Sequence, residues 1–167
     1  MAAPLTSRIL EKIEPALLAY HRLVLVVGPT RTGKTTALRE LAQERGWPLV
    51  NVNLELSKRL LELTTKQRAL RAPRLLGELV HSHSGDVLLL DNTELLFSTE
   101  LQQDPLRLLQ GLSRNRTVVA TWSGELDDEK LRYAAPGHPE HRQYQRSQAI
   151  IVPAVDAQRR SETVRPD

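Results

Sequence analysis

Gly28-Pro29-Thr30-Arg31-Thr32-Gly33-Lys34-Thr35, with Thr36 behind it, follows directly on the apolar run Leu23-Val24-Leu25-Val26-Val27 and decides how the rest of the sequence is read. The spacing is G-x-x-x-x-G-K-[ST], and a strand feeding a glycine-bounded loop that opens a helix is the context in which this string binds phosphate. Gly28 and Gly33 let the backbone curl so that successive N–H groups point inward, and the start of the following helix adds partial positive charge. Lys34 is predicted to reach the β- and γ-phosphates, and the Thr35 hydroxyl to hold Mg²⁺. Residues Gly28 to Thr36 form the candidate cofactor-binding set, with Pro29 and Arg31 at positions where the pattern carries no signal.

The chain has 167 residues, 40% of them apolar, which suits one domain with a real core and is too short for two. The expected division is a single domain over 1–157 and a polar, disordered tail over 158–167. No cysteine is present. Disulfides, thiolate metal sites and cysteine nucleophiles are therefore excluded, which suits a reducing interior. Met1 to Leu5 lacks a basic segment with an apolar core behind it, and no apolar run approaches membrane-spanning length, so a cytoplasmic location and no membrane partner are expected. The net charge of +3 is carried mostly by arginine. Arginine suits bidentate contact with phosphates or a partner's carboxylates, but the first reading of these charges is a solvated surface.

Outward from the loop, residues 5–20 read as a helical lead-in with Ile9, Leu10, Ile13, Leu17 and Leu18 in a stripe and Pro15 breaking it in two. Strand one covers 22–27. A helix runs from Lys34 to Arg45 with Ala37, Leu38, Leu41 and Ala42 at core spacing, and Gly46 ends it. Residues 48–53 read as strand two, completing a βαβ unit with a right-handed crossover. Helical spacing returns over 55–63 and 73–83. The polar stretch 64–71 between them reads as a solvated connection, or as a surface for a partner or a nucleic-acid backbone through Lys66, Arg68, Arg71 and Arg74.

Asp86 to Asn92 is an apolar strand ending in an acidic residue, placed so that Asp91 can hold Mg²⁺ opposite the loop. Asn92 behind it can orient a water but cannot act as a base. Glu94 and Glu125 are candidate substitutes. Asp104 caps and Pro105 starts a helix through Leu112. Strand 117–122 then delivers Thr121 and Ser123. Past Gly124 the chain turns polar and irregular, with a short helix expected through Gln145 and a fifth sheet strand over 149–152.

This order of elements resembles the AAA+ and related additional-strand P-loop ATPases. The resemblance implies an α/β, three-layer P-loop NTPase with a five-stranded, mostly parallel sheet, an AAA+-like core without a C-terminal helical lid. It implies ATP and Mg²⁺ as cofactors, with Thr35 and Asp91 as metal residues and Thr121 or Ser123 in the sensor position. It places an arginine finger on a helix before strand five, where Arg142 and Arg146 stand, with Arg114 and Arg116 at the base of the sensor strand. Lys34, Asp91, Asn92, Glu94, Thr121, Arg142 and Arg146 make up the candidate catalytic set.

At closer range the chain is similar to the BrxF family, small P-loop proteins of type 3 BREX bacteriophage-exclusion systems. Residues 51–57, Leu90-Asp91-Asn92 with 94–97, 103–110, 113–120, and Tyr133-Ala134 with 136–140 carry the similarity. It implies a bacterial cytoplasmic defence component that works with other BREX components. The loop, Asp91, Thr121 and the arginines before strand five point to a homo-oligomer with nucleotide, and Asn92 after Asp91 to ATP hydrolysis that is weak or depends on assembly. Two other classes stay open: a small nucleoside or metabolite kinase, with 126–146 closing over the phosphates, and a non-hydrolysing nucleotide-binding adaptor, which Asn92 favours. DNA contact is open through the arginines, without a recognition-helix motif.

Overall fold

The computed structural model describes residues 3–155, so the tail predicted over 158–167 lies outside the described residues. In chain order these form α1 (Leu5–Ala16), β1 (Leu23–Val27), α2 (Lys34–Arg45), β2 (Leu49–Asn51), α3 (Val52–Leu60), α4 (Thr65–His81), β3 (Val87–Asp91), α5 (Pro105–Leu112), β4 (Thr117–Trp122), β5 (Glu125–Leu126), β6 (Lys130–Tyr133), β7 (Arg142–Gln145) and β8 (Ile150–Pro153). Single 3₁₀ turns cover Glu94–Phe97, Thr99–Leu101 and Arg146–Gln148.

The main sheet is five-stranded in the order β2-β3-β4-β1-β8, and every pairing in it is parallel. β1 along its whole length and β3 from Val87 to Leu90 are apolar because both faces are covered. Alternate residues serve opposite faces. Val24 and Val26 pack under α1 and α2 with Ile9, Leu38 and Leu41, whereas Leu23, Leu25 and Val27 pack under α3 to α5 with Leu56, Leu76 and Leu109. Burying each such leucine contributes roughly 1.5–3 kcal/mol. The result is the three-layer α/β core expected of a P-loop NTPase. Because β4 is inserted between β1 and β3, the crossover from β1 through α2 to β2 passes over two strands, so the expected βαβ partners are not neighbours.

Four local expectations are corrected. Pro15 does not divide the lead-in: α1 is continuous to Ala16 and ends there, because Pro15 falls in the last turn and its missing N–H leaves only one carbonyl unpaired. Strand two stops at Asn51, whose side chain accepts the Leu54 N–H at 3.1 Å and starts α3 at Val52. The stretch 64–71 is no connection but the opening of the 17-residue α4, started by a capping box in which Thr64 and Gln67 bond each other's backbone N–H. α4 carries Pro73 in its interior, and the Ala69 carbonyl that a residue-73 N–H would have met accepts Gln103 Nε2 at 2.9 Å.

The fourth correction concerns residues 125–145. Instead of a helix through Gln145, they form a three-stranded antiparallel sheet, β5-β6-β7. Aromatic packing fixes it to the core: Tyr133 stacks on Phe97 at 3.5 Å, and Trp122 meets Phe97, Tyr133 and Tyr144 edge-on. Trp122 Nε1 donates to the Arg132 carbonyl at 3.1 Å. A Cβ at Gly124 would lie 2.0 Å from that same carbonyl, so only glycine lets the chain leave β4 here. Among the described residues no helix is long and apolar enough to cross a membrane.

Candidate active site

The C-terminal ends of β1, β3 and β4 and the start of α2 enclose a cleft of about 280 Å³ lined by Thr30, Arg31, Gly33, Lys34, Thr35, Thr36, Asp91, Asn92, Glu94 and Ser123. Gly33, at φ 88°, turns the loop into the N-terminus of α2, and Arg31, at φ 64°, is also left-handed. Gly28 is buried deeper; a Cβ there would stand 2.8 Å from Ala154 Cβ and 2.9 Å from Thr32 Oγ1. Thr32 Oγ1 donates to the Pro29 carbonyl at 2.7 Å and tightens the loop. Of the predicted cofactor set, Gly28, Pro29 and Thr32 thus shape the loop, while the other six face the cleft.

Lys34 is 6% exposed and donates to the Gly28 and Pro29 carbonyls at 2.7 and 2.6 Å. Burial lowers its pKa from the ordinary lysine value, and the carboxylates of Glu94 and Asp91 oppose that shift. An ammonium ion fixed among carbonyls and facing two carboxylates is a preorganised cation for a phosphate. Asp91 is buried, and Thr121, its neighbour on β4 through the Leu90–Ala120 register, donates to Asp91 Oδ1 at 2.9 Å. Thr93 Oγ1 in turn donates to the Thr121 carbonyl at 2.7 Å. Thr121 therefore orients the acidic residue, and of the two sensor candidates Ser123 is the one that lines the cleft.

Asn92 takes φ 52°, a left-handed turn that asparagine tolerates better than most residues, and its carbonyl accepts the Asn53 N–H at 2.8 Å. That turn brings Glu94 to the cleft wall. Asn53 Nδ2 donates to Glu94 Oε1 at 3.2 Å, and Ser123 Oγ stands 3.4 Å from Glu94 Oε2. Asn53 Oδ1 also accepts the Leu95 N–H at 2.7 Å, locking the amide orientation. Sequence reasoning placed no site role on Asn53 because it reads there as the end of a strand, 41 residues from Glu94.

The remaining predicted residues are elsewhere. Arg142 lies on β7, not on a helix, and donates to the Gln103 carbonyl at 2.8 Å within its own chain. Tyr144 Oη beside it donates to Asp104 Oδ1 at 2.8 Å, so β7 clasps the start of α5. Arg146 is exposed, and neither it nor any other residue of 126–146 lines the cleft. Glu125, at the start of β5, is exposed and also outside the lining. Arg68 is turned inward, donating to the Leu60 and Leu63 carbonyls at 3.1 and 3.0 Å, where it caps the end of α3.

The profile of the ATPase family associated with various cellular activities (AAA) matches residues 24–133, from the middle of β1 to the end of β6. This chain belongs to the AAA family. It is a P-loop nucleotide-binding protein. Among solved structures the AAA chain is similar to C. elegans PCH-2, with 17% identity and a TM-score of 0.41, over 90% of this chain and 39% of that one. It thus spans about two fifths of that relative's length. No curated protein matches it.

Proposed function

We propose that this AAA domain binds Mg·ATP in the cleft and hydrolyses it slowly unless a neighbouring copy completes the site, as a BrxF-like component of a bacterial type 3 BREX phage-defence system. The observation that carries the hydrolytic part is Glu94, a carboxylate at the cleft wall held by Asn53 and Ser123 in a position that the residue after Asp91 cannot serve. Bound Mg·ATP supplies the phosphoryl group and the metal's charge. The donor set suits it: a hydroxyl at Thr35 and a carboxylate at Asp91 are hard oxygen ligands of the kind Mg²⁺ takes alongside phosphate oxygens. Lys34 offers its ammonium to the phosphates, Thr121 keeps Asp91 in orientation, and Glu94 accepts a hydrogen bond from a water on its cleft side. Arg146, exposed and outside its own cleft, is the arginine offered to a neighbour; Arg142 is engaged with Gln103.

Lys34→Ala is expected to lower ATP affinity by about a hundredfold or more, as loss of a buried charged partner does. Glu94→Gln is expected to keep binding and lose turnover by about 10²–10⁴-fold. Equal ATP affinity in Lys34→Ala and the wild type would end this reading. Phosphate transfer to a small acceptor would favour a kinase, and no turnover with assembled BREX partners and DNA would favour an adaptor. Undiminished phage exclusion by a BREX system lacking this chain would remove the pathway assignment.

A further inference from the structure

On the far side of the sheet from the loop, near the N-terminal ends of the strands, α4 and α5 part around a groove of about 430 Å³. Its floor is Leu76, Val80, Leu108 and Leu112, its rim carries the exposed Arg107 and Arg114 with the half-buried Arg116 behind them, and among the described residues no carboxylate lines it. Two lining residues, Gly77 in α4 and Gly111 in α5, would carry a Cβ into open space with nothing within 4 Å. Glycine inside a helix weakens it relative to alanine, and packing among the described residues supplies no reason for either one. Together they let an outside body approach both backbones. Arg116 spends Nη1 on the Val80 and His83 carbonyls, while its buried Nε and Nη2 have no hydrogen-bond partner among the described residues. The groove is apolar below and cationic above.

The complementary shape stands beside it. Leu17, Leu18 and Tyr20, just past α1, are 52%, 92% and 71% exposed. Arg114 joins this projection to the groove, lying 5.3 Å over the Tyr20 ring and donating to its hydroxyl at 2.9 Å. His21 Nδ1 lies 3.1 Å from the Gln110 carbonyl, which seats the segment against the end of α5. Glu11 and Glu14, one turn apart on α1, are exposed behind it, with the exposed Lys12 between them in sequence. The projection is apolar, with two carboxylates and one ammonium group behind it.

We propose that this face is a two-fold interface between copies of the chain, each copy seating Leu17 and Leu18 in the other's α4–α5 groove with Glu11 and Glu14 against the arginine rim. A projection and its complement side by side on one surface meet the self-complementarity of an isologous contact, and an apolar centre within a charged rim is the usual interface make-up. No cleft residue takes part, so the association forms without nucleotide and stands apart from the ATP reading.

The test is sedimentation equilibrium of the nucleotide-free full chain beside the Gly77→Leu/Gly111→Leu and Leu18→Glu variants. The wild type is expected to dimerise. Each variant is expected to raise the dissociation constant by about tenfold or more, with ATP affinity unchanged. Thermal melts check folding; the filled groove has room for its new side chains, and Leu18 is too exposed for its charge to unfold the domain. A wild type that stays monomeric would overturn the proposal and leave the groove to a different occupant. So would a dimer that neither variant weakens.

Discussion

Replacing Asn53 by alanine isolates the support of the cleft carboxylate. The change removes two hydrogen bonds, the 2.7 Å acceptance of the Leu95 N–H and the 3.2 Å donation to Glu94 Oε1. The first is neutral, with a net value of about 1 kcal/mol, and the second, to a charged acceptor, is worth about 1.5–3 kcal/mol before solvent weakens it at this half-buried position. A total loss of about 2–3 kcal/mol corresponds to a fall in melting temperature of roughly 5–10 °C for a chain of this size. Function should divide unevenly. Asn53 does not line the cleft, so ATP affinity, read with a fluorescent analogue, stays within about threefold of wild type, whereas turnover falls about tenfold or more as Glu94 loses its orientation. Asn53→Asp should do worse, setting a like charge against Glu94. Turnover in Asn53→Ala equal to wild type, or a loss of affinity matching the loss of turnover, would refute the positioning argument.

Gly28→Ala is expected to cost ATP binding and about 1–3 kcal/mol of stability, since its Cβ meets Ala154 Cβ at 2.8 Å and Ala154 is tied to the Val27 carbonyl at 2.7 Å; calorimetry with and without ATP reads both. Phe97→Ala is expected to destabilise by about 3–5 kcal/mol in urea unfolding, because it empties the site between Trp122 and Tyr133. Burial, with Glu140 and Glu94 adding to it, raises the Tyr133 pKa from 10.0 to about 12. The fold holds that proton more tightly than the unfolded chain does, so Tyr133's contribution is complete below pH 10 and is lost as pH rises towards 12. Urea melts across that interval should show a shallower loss in Tyr133→Phe than in wild type.

The loop from Gly28 to Thr36 and the acidic strand end at Asp91 were legible in sequence because local spacing dictates them: glycines where the backbone must curl, a lysine and a threonine one turn into a helix, an apolar run closed by a carboxylate. The five-stranded core was legible for the same reason, since strands buried on both faces write themselves as continuous apolar runs. Where the reading failed, distant contacts had overridden local preference. Pro73 read as the start of a helix, but α4 runs through it from Thr65 and Gln103 meets the carbonyl it orphans; the polar run 125–145 lacks strand alternation, but Phe97, Trp122 and Tyr144 hold it as a sheet. Glu94 could be named from sequence as one substitute among others. Only the tertiary structure puts it at the cleft wall, because the left-handed turn at Asn92 and the amide of Asn53 hold it there, and the bond of Arg142 to Gln103 within its own chain is likewise a tertiary fact. Sequence settles chemistry that lies within one turn of backbone, whereas the partner of a side chain 40 residues away is decided by which strands lie side by side, here by β4 entering between β1 and β3.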